Sequence, residues 1–326
     1  MPGSAAVKVT PISLPGIRVV WPRLLALRLD LLAIVEGRDL LMVFTLENTG
    51  PKLRHIRSLG YRPGTLSLSP SRAFLLLGNG GGNWFEVRDT KTDQVVAEVG
   101  GPDAFSATFA ALEGVDVLVS AARTGRIDVV SLPDGEALAR TELSQPKPFV
   151  VDDMVPLGDG NDLAIVGHPF LDGYARRMFV PTSVLQSGGR AFGAKLEEAL
   201  AKPGCYDAGV GPCGWEDIVV HQGAGRWGQP ENPAEKGLTV RRLATGEVLE
   251  KVPCDQPIGV RQGLMGTSLA IAFAADGGVH VLPRQGLAGA ERVFLPARAA
   301  SFDQEAGRVA LATAESQIHV VELART

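Results

Sequence analysis

The stretch "ARTGRIDVVSLPDGEALART", residues 122–141, reads as a turn, a short apolar run, a second turn and a second short run. Gly125 follows a threonine and Gly135 follows an aspartate, and such pairs are typical of the tight turns that join strands. The stretch therefore predicts a β-hairpin. Whether it is a single hairpin in an ordinary enzyme or one copy of a repeated unit decides the architecture.

The same plan recurs along the chain. Clear copies lie at residues 39–56, 83–99, 237–252 and 277–295, a truncated copy at 316–326, and the poorest copy at 174–189. Each copy follows a shorter apolar strand, and most of those follow one further weak strand. The chain thus divides into seven units with a mean period of about 46 residues, which suits blades of four strands.

The apolar runs in these units are continuous rather than alternating, as in "LLAIV" at 31–35, "FLLL" at 74–77 and "LAIV" at 163–166. Continuous runs indicate sheets that are covered on both faces. A βα alternative would need amphipathic helices of about ten or more residues between the strands. Only "GAKLEEALAKPG", at 193–204, has that character, so we expect an all-β fold with one short helix inserted in the fourth unit.

The two ends of the chain complement each other. The last unit offers about three strands before Thr326, whereas the first unit is preceded by a spare strand, "AAVKVTPISL", at 5–14. In a closed ring the spare strand would supply the missing outer strand of the last unit, which would cover an exposed sheet edge. We therefore expect the N-terminal strand to close the ring.

Two copies resemble a known repeat. "TGRIDVVSLPDGEAL" (124–138) and "KGLTVRRLATGEVL" (236–249) are similar to the strand-turn-strand of WD-repeat and YVTN-like proteins. The resemblance implies a single domain over 1–326, a seven-bladed β-propeller of four-stranded antiparallel blades. The expected blades are 15–60, 61–100, 101–144, 145–202, 203–254, 255–295, and 296–326 together with 5–14.

Composition limits the partners and the compartment. The net charge is −4 and no run of five or more basic residues occurs, which disfavours a nucleic-acid partner. The apolar stretch 24–44 contains five charged residues, so it is not expected to cross a membrane. Three cysteines and the lack of a signal-peptide pattern predict a reducing, cytoplasmic location. We expect a monomer without a cofactor.

Candidate binding residues follow from the repeat. The turn after the second strand of each unit should open onto one rim of the ring, and these turns carry Glu36, Arg38, Asn79, Arg123, His168, His221, Asp276 and Glu315. The oversized fourth and fifth units add Trp215 and Trp227. His168 and His221 occupy matched places in adjacent units, so they are weak candidates for a metal site or for acid and base roles; alternatively, they are solvated turn residues.

Two functions remain open. No nucleophile-elbow, P-loop, zinc-protease or dinucleotide motif is present in the sequence, and loops on a rigid scaffold favour partner binding. We predict a non-enzymatic scaffold, adaptor or regulatory subunit of a bacterial-type multiprotein system, which binds a protein or peptide through one propeller face and the insertions of blades four and five. The alternative is a lactonase- or hydrolase-like propeller enzyme with a metal in its central channel, held by His168, His221, Asp276, Glu36 and Glu315.

Overall fold

A computed structural model describes most of the chain. It covers residues 7–14, 17, 19–80, 83–101, 103–142, 149–157, 159–169, 174–187, 189–201, 205–206, 218–222, 238–242, 248–252, 269–275, 278–283, 291–293, 297–303, 306–313 and 317–323. For the strands between 205 and 293 the description covers the backbone. All strand pairs are antiparallel.

The first three sheets each contain four strands that follow one another in chain order. The first sheet contains β2 (Pro22–Arg28), β3 (Leu31–Glu36), β4 (Leu40–Glu47) and β5 (Gly50–Ser58). The second contains β6 (Pro63–Leu68), β7 (Phe74–Asn79), β8 (Trp84–Asp89) and β9 (Val95–Gly100). The third contains β10 (Ala104–Leu112), β11 (Val115–Ala122), β12 (Arg126–Ser131) and β13 (Ala137–Glu142).

The fourth sheet also has four strands, but helices interrupt it. It contains β14 (Phe149–Leu157), β15 (Asp162–Pro169), β16 (Tyr174–Pro181) and β17 (Cys205–Tyr206), with helices α1 (Thr182–Gln186) and α2 (Gly189–Ala201) before the last strand. We expected the fourth blade to end at residue 202. It extends to Tyr206 because the helical insertion lies between the third strand and the outer strand.

The next two sheets contain three described strands each. The fifth contains β18 (Ile218–Gln222), β19 (Leu238–Arg242) and β20 (Val248–Val252). The sixth contains β21 (Leu269–Ala275), β22 (Gly278–Pro283) and β23 (Glu291–Val293). The four-stranded plan is therefore seen in five of the seven sheets, and in these two it stays a prediction.

The N-terminal strand closes the last sheet, as expected. The seventh sheet contains β24 (Ala297–Asp303), β25 (Arg308–Thr313), β26 (Ile318–Leu323) and, at its outer edge, β1 (Val7–Ile12). The pairing of β1 with β26 runs from Val7 opposite Leu323 to Ile12 opposite Ile318. Strands from the two ends of the chain thus share one sheet, and the outer edge of β26 is covered.

The predicted hairpin forms the third and fourth strands of the third sheet, β12 and β13. Both turns use glycine in the left-handed region, with φ of +86° at Gly125 and +70° at Gly135. Left-handed geometry is costly for other residues. The turn signals that predicted the hairpin are therefore the residues that the backbone requires.

The sheets pack side by side around a common centre. The first strand β2 contacts both β6 and β24, and β10 contacts both β6 and β14. Separate apolar clusters join the seventh sheet to the first, the first to the second, the second to the third and the third to the fourth. The first, second and third sheets are thus each covered on both faces by neighbouring sheets, which explains their continuous apolar runs.

Hydrogen bonds reinforce this packing at one face, which we call the lower face and which holds the turns between first and second strands. The Leu29 amide at the end of β2 donates to Asp303 Oδ2 at the end of β24, over 2.7 Å. Arg308 pairs with the same carboxylate at 2.7 Å and also donates to the Leu29 carbonyl. The seventh and first sheets are therefore joined by polar contacts as well as by apolar packing.

Similar links continue along the lower face from sheet to sheet. They are the ion pair of Arg72 with Asp30, the hydrogen bond of 3.0 Å from the Ser71 amide to Asp116 Oδ1, and that of 2.7 Å from the Ala111 amide to the Gly160 carbonyl. These contacts connect the first sheet to the second, the second to the third and the third to the fourth. The lower face therefore has a structural role in the described part of the ring.

The helical insertion packs between the third and fourth sheets. We predicted a helix over 193–204, and α2 instead runs over Gly189–Ala201. It begins earlier because Phe192 belongs to the buried stripe that Leu196 and Ala199 continue, and it ends before Pro203, since a proline disfavours helical geometry in the residue before it. The buried side of this insertion therefore serves packing.

Among the described residues, none of the helices has the length and apolar character needed to span a bilayer.

Candidate functional site

A β-bulge recurs near the start of the first strand in the described sheets. One extra residue interrupts the pairing between the first and second described strands of the first, second, third, fourth, sixth and seventh sheets. Outside the sixth sheet, the extra residues are Arg23, Gly64, Phe105, Asp152 and Arg298. A bulge turns a side chain away from the regular alternation of the strand. These residues lie at what we call the upper face, where the second strands end at Glu36, Asn79, Ala122 and Pro169.

The bulged residue contacts either the turn that follows the second strand of its own sheet or the end of that strand, where His168 lies instead of in the predicted turn. Phe105 lies beneath the Arg123 guanidinium, whose central carbon is 4.6 Å from the ring centroid. Asp152 Oδ2 lies 2.8 Å from His168 Nδ1. In the first sheet Arg23 Nη1 donates to the Arg38 carbonyl over 3.5 Å. Arg38, Arg123 and His168 were all predicted as site residues. Each of them contacts a residue of the first strand that the sequence pattern did not predict as part of the site.

In the second sheet the first strand and the turn after the second strand also lie close together, but the bulged residue there is a glycine. A Cβ added to Gly64 would lie 2.9 Å from the Gly80 Cα and 3.2 Å from the Asn79 carbonyl oxygen. Glycine at the bulge therefore permits the turn to lie directly against the first strand. Asn79 braces that turn, since its side-chain amide donates to Asn83 Oδ1 over 2.7 Å and its own oxygen accepts from the Asn83 amide.

The upper face also carries exposed apolar surface next to the first strand. Trp21 is 56% exposed and precedes β2. Its carbonyl accepts a hydrogen bond of 2.8 Å from the Gly37 amide, and the Glu36 carboxylate accepts one of 2.7 Å from the amide of its exposed neighbour Val20. Glu36, predicted as a partner-binding residue, thus holds the chain that presents Trp21.

His168 belongs to a small ionisable cluster in the fourth sheet. It pairs with Asp152, and Asp153 follows directly in β14. Burial is the main cause that raises the pKa of Asp153 to about 6; the charge of Asp152 adds to this rise, and a hydrogen bond from the Met154 amide opposes it. With this pKa, the Asp153 carboxyl can take up and release a proton near pH 6.

Replacement of Asp153 by asparagine tests this assignment. The pKa of Asp153 is higher in the folded protein than its usual value of 3.8, so the folded state binds more protons between these two values. The contribution of Asp153 to stability should therefore be fully present below about pH 4 and be lost as the pH rises to about 6. We expect Asp153→Asn to remove that loss, on the order of 1–3 kcal/mol. Urea unfolding at several pH values measures it.

The control for this measurement is Asp134→Asn, because Asp134 is exposed in the turn of the β12–β13 hairpin. The control should keep the pH dependence of the unmodified protein. If Asp153→Asn and Asp134→Asn gave the same slope of stability against pH, the raised pKa of Asp153 would be wrong.

A buried polar network holds the loop that leads into the second sheet. The Tyr61 hydroxyl donates to Glu86 Oε1 over 2.9 Å, and Arg88 Nε donates to the same oxygen over 2.6 Å. Burial and the Glu86 charge raise the pKa of the Tyr61 phenol. The Tyr61 ring also meets Trp84 edge to face, with centroids 5.1 Å apart. The network fixes Tyr61, and with it the position of its exposed neighbour Arg62.

Several predicted site residues fall outside this description. Asp276, Glu315, Trp215 and Trp227 lie outside the described residues. His221 is described by its backbone, and it is the next-to-last residue of β18, as His168 is of β15. Within the described portion, no three His, Cys, Asp or Glu side chains are grouped so as to hold a metal ion.

Comparison with known proteins shows the fold. No family model matches the chain, and no curated protein matches it. Hydrazine synthase of Kuenenia stuttgartiensis is 14% identical, with 96% of this chain and 99% of that chain covered and a TM-score of 0.61. A chain of the mitotic checkpoint complex is 13% identical, with coverage of 99% and 93% and a TM-score of 0.55. The chain is a β-propeller. It resembles those of WD-repeat proteins, as the hairpin copies predicted.

Structural similarity at such low sequence identity supports the fold but does not indicate an activity. In all, 1580 solved chains are similar to this propeller, and the two above belong to an enzyme and to a checkpoint assembly. Because one fold serves many functions, the role of this propeller has to be argued from the residues of its upper face.

Proposed function

We propose that this propeller is a non-enzymatic interaction module, a scaffold, adaptor or regulatory subunit, which binds a protein or peptide at its upper face. The observation that carries the proposal is the recurrence of one arrangement in neighbouring sheets. In the first, third and fourth sheets the bulged residue of the first strand contacts the end of the second strand or the turn after it, and in the second sheet a glycine at the bulge lets that turn lie against the first strand. Repeated loops on a rigid frame supply a broad binding surface.

The residues of the upper face suit a protein partner. Exposed Trp21 and the exposed arginines Arg38, Arg62 and Arg123 lie there, and tryptophan and arginine are enriched among the residues that dominate binding energy at protein interfaces. Backbone hydrogen bonds hold their segments in place, from Gly80 to the Arg62 carbonyl at 3.1 Å and from Arg123 to the Asp103 carbonyl at 2.9 Å. Little ordering would be needed on binding, which favours affinity.

The enzyme alternative is supported by one observation, the pair of His168 and Asp152. An imidazole held by a carboxylate is oriented as a ligand or base would be. A catalytic zinc ion, however, generally takes three protein ligands, and this pair supplies fewer. The interaction module is therefore the better-supported proposal.

Substitution of Trp21 tests the interaction module. We expect Trp21→Ser to reduce recovery of the partner on the order of tenfold or more, because buried tryptophans at interfaces often contribute roughly 2 kcal/mol or more. The measurement is affinity purification of the tagged propeller from a lysate of its source cells, followed by quantitative mass spectrometry.

Val115→Ser is the matched control. Val115 begins β11 at the lower face and, like Trp21, is 56% exposed. This variant should recover the partner as the unmodified protein does. Equal recovery with Trp21→Ser, or an equal loss with Val115→Ser, would contradict a binding site at the upper face.

A further inference from the structure

Four arginines of the described chain lie at the upper face: Arg23, Arg38, Arg62 and Arg123. Arg38 and Arg62 are exposed, and among the described residues neither side chain has a carboxylate partner. Arg123 lies over the Phe105 ring, and Arg23 donates only to backbone carbonyls. These four residues come from three consecutive sheets.

Several other arginines of the described chain are paired with carboxylates. The pairs are Arg57 with Asp93 at 3.0 Å, Arg72 with Asp30, Arg88 with Glu86 at 2.6 Å, Arg126 and Arg140 with Asp128 at 2.9 and 2.6 Å, and Arg308 with Asp303 at 2.7 Å. Arg38 and Arg62 belong to the exposed arginines that have no such pair among the described residues, so their guanidinium groups are accessible to a ligand.

Carboxylates near these arginines are already engaged in the first sheet. Glu36 accepts the Val20 amide at 2.7 Å. Asp39 accepts the Ser58 hydroxyl at 2.6 Å and the Gly60 amide at 3.2 Å. Asp103 is exposed in the third sheet, where its carbonyl rather than its carboxylate is bonded to the Arg123 amide. Among the described residues, the Glu36 and Asp39 carboxylates are thus bonded to Val20, Ser58 and Gly60 and neither is paired with Arg38 or Arg62.

Arg23 brings two of these arginines together. Its Nη2 donates to the Pro63 carbonyl over 3.2 Å and its Nη1 to the Arg38 carbonyl over 3.5 Å, so its guanidinium lies between Arg38 and the residue that follows Arg62. Burial, and then the charge of Arg62, lower the pKa of Arg23. Like charges held close together disfavour each other, and an anionic ligand would relieve that cost.

We propose that the segment of the partner that binds the upper face is an acidic peptide, whose Asp or Glu side chains pair with Arg23, Arg38 and Arg62 while an apolar residue packs on Trp21. This proposal rests on the proposed interaction function and specifies the chemical class of the segment that is bound. The planar guanidinium binds carboxylates through paired hydrogen bonds. The overall net charge of −4 makes a peptide a better fit than a nucleic acid, which requires a dense positive surface.

The test is fluorescence anisotropy with a labelled peptide of repeated Glu-Glu-Leu, compared with the same peptide carrying Gln in place of Glu. The acidic peptide should bind on the order of tenfold more tightly than the neutral one, and its affinity should fall as salt is added. The double variant R38E/R62E should remove this preference.

A matched double variant, R54E/R190E, changes the net charge by the same amount. Arg54 lies in the outer strand β5 and Arg190 in α2, so this variant should retain the preference. Thermal unfolding of both variants confirms that they are folded. If R38E/R62E did not fold, the unmodified protein would still test the proposal. It should prefer the acidic over the neutral peptide, and its affinity for the acidic peptide should depend on salt.

Three outcomes would overturn the proposal: equal binding of the two peptides, equal loss in both double variants, or tighter binding of a DNA duplex than of the acidic peptide. The proposed function can fail separately. A partner lost on Trp21→Ser, together with equal binding of the two peptides, would leave the interaction module intact and remove only its acidic specificity.

Discussion

Deletion of residues 1–14 should lower the free energy of unfolding by about 3–5 kcal/mol, because β1 contributes several backbone hydrogen bonds at about 1 kcal/mol each and covers the edge of β26. Partly buried Ile12 and Leu14 also pack against the cluster between the seventh and first sheets. The loss would fall on the sheet that joins the two ends of the chain. Urea unfolding and the thermal midpoint measure it.

Two controls accompany the deletion. Lys8→Ala should leave stability unchanged, because Lys8 pairs with Glu322 at 3.6 Å on an exposed surface and such pairs contribute little. A peptide of residues 5–14 added to the truncated protein should restore its thermal midpoint by pairing again with β26. A truncated protein as stable as the full chain would show that β1 does not close the ring.

Replacement of Asp303 by alanine should destabilise the protein by about 3–5 kcal/mol, as expected when one partner of a buried ion pair is removed. Asp303 is 1% exposed. Its carboxylate accepts the Leu29 amide of the first sheet and pairs with Arg308, and it also accepts the Ala306 amide at 3.2 Å. Alanine would leave a buried charge and a buried donor without their acceptor.

Asp128→Ala is the comparison for this substitution. Like Asp303, Asp128 forms ion pairs with arginine. Its partners, Arg126 and Arg140, lie in the same sheet and near solvent. Its loss should cost about 1 kcal/mol or less. Both values come from urea unfolding at neutral pH. Equal losses would mean that the bridge between the seventh and first sheets adds nothing beyond an ordinary surface pair.

Local sequence signals predicted the framework well, because the framework depends on local chemistry. The turns at Gly125 and Gly135 need a left-handed backbone conformation, and a glycine that follows threonine or aspartate predicts such a turn from the sequence. The closing strand followed from counting strands at the two ends. The start of α2 was placed too late because Gly189 does not look like a helix former, whereas the burial of Phe192 extends the helix to include it.

The upper face was predicted only in part. The pattern placed Arg38 and Arg123 in turns correctly, whereas Asn79 is the last residue of β7 and His168 is the next-to-last residue of β15. It also missed the contacts of these residues with the first strands. Alternation along a regular strand does not reveal which residue a bulge turns outward. A usable signal was present in "WPRLL" (21–25) and "YRPGT" (61–65), where an aromatic residue, a proline and an arginine meet at the start of a first strand.

Asp152 illustrates the limit most clearly. In the sequence, Asp152 and Asp153 are equivalent neighbours, and nothing separates their roles. In the fold, the bulge places the Asp152 carboxylate against the His168 imidazole, whereas the Asp153 carboxylate accepts a hydrogen bond from the Met154 amide. One residue of register thus decides which carboxylate is paired and which has the raised pKa.

The recurrent bulge has a consequence for how such a protein can diverge. The bulged positions of the first, second, third, fourth and seventh sheets hold Arg, Gly, Phe, Asp and Arg. The fold therefore tolerates basic, acidic and aromatic side chains there, and also glycine. Selection can therefore alter recognition at these positions without rebuilding the core. For protein engineering, the same five sites form a compact set to randomise in a library of new binders.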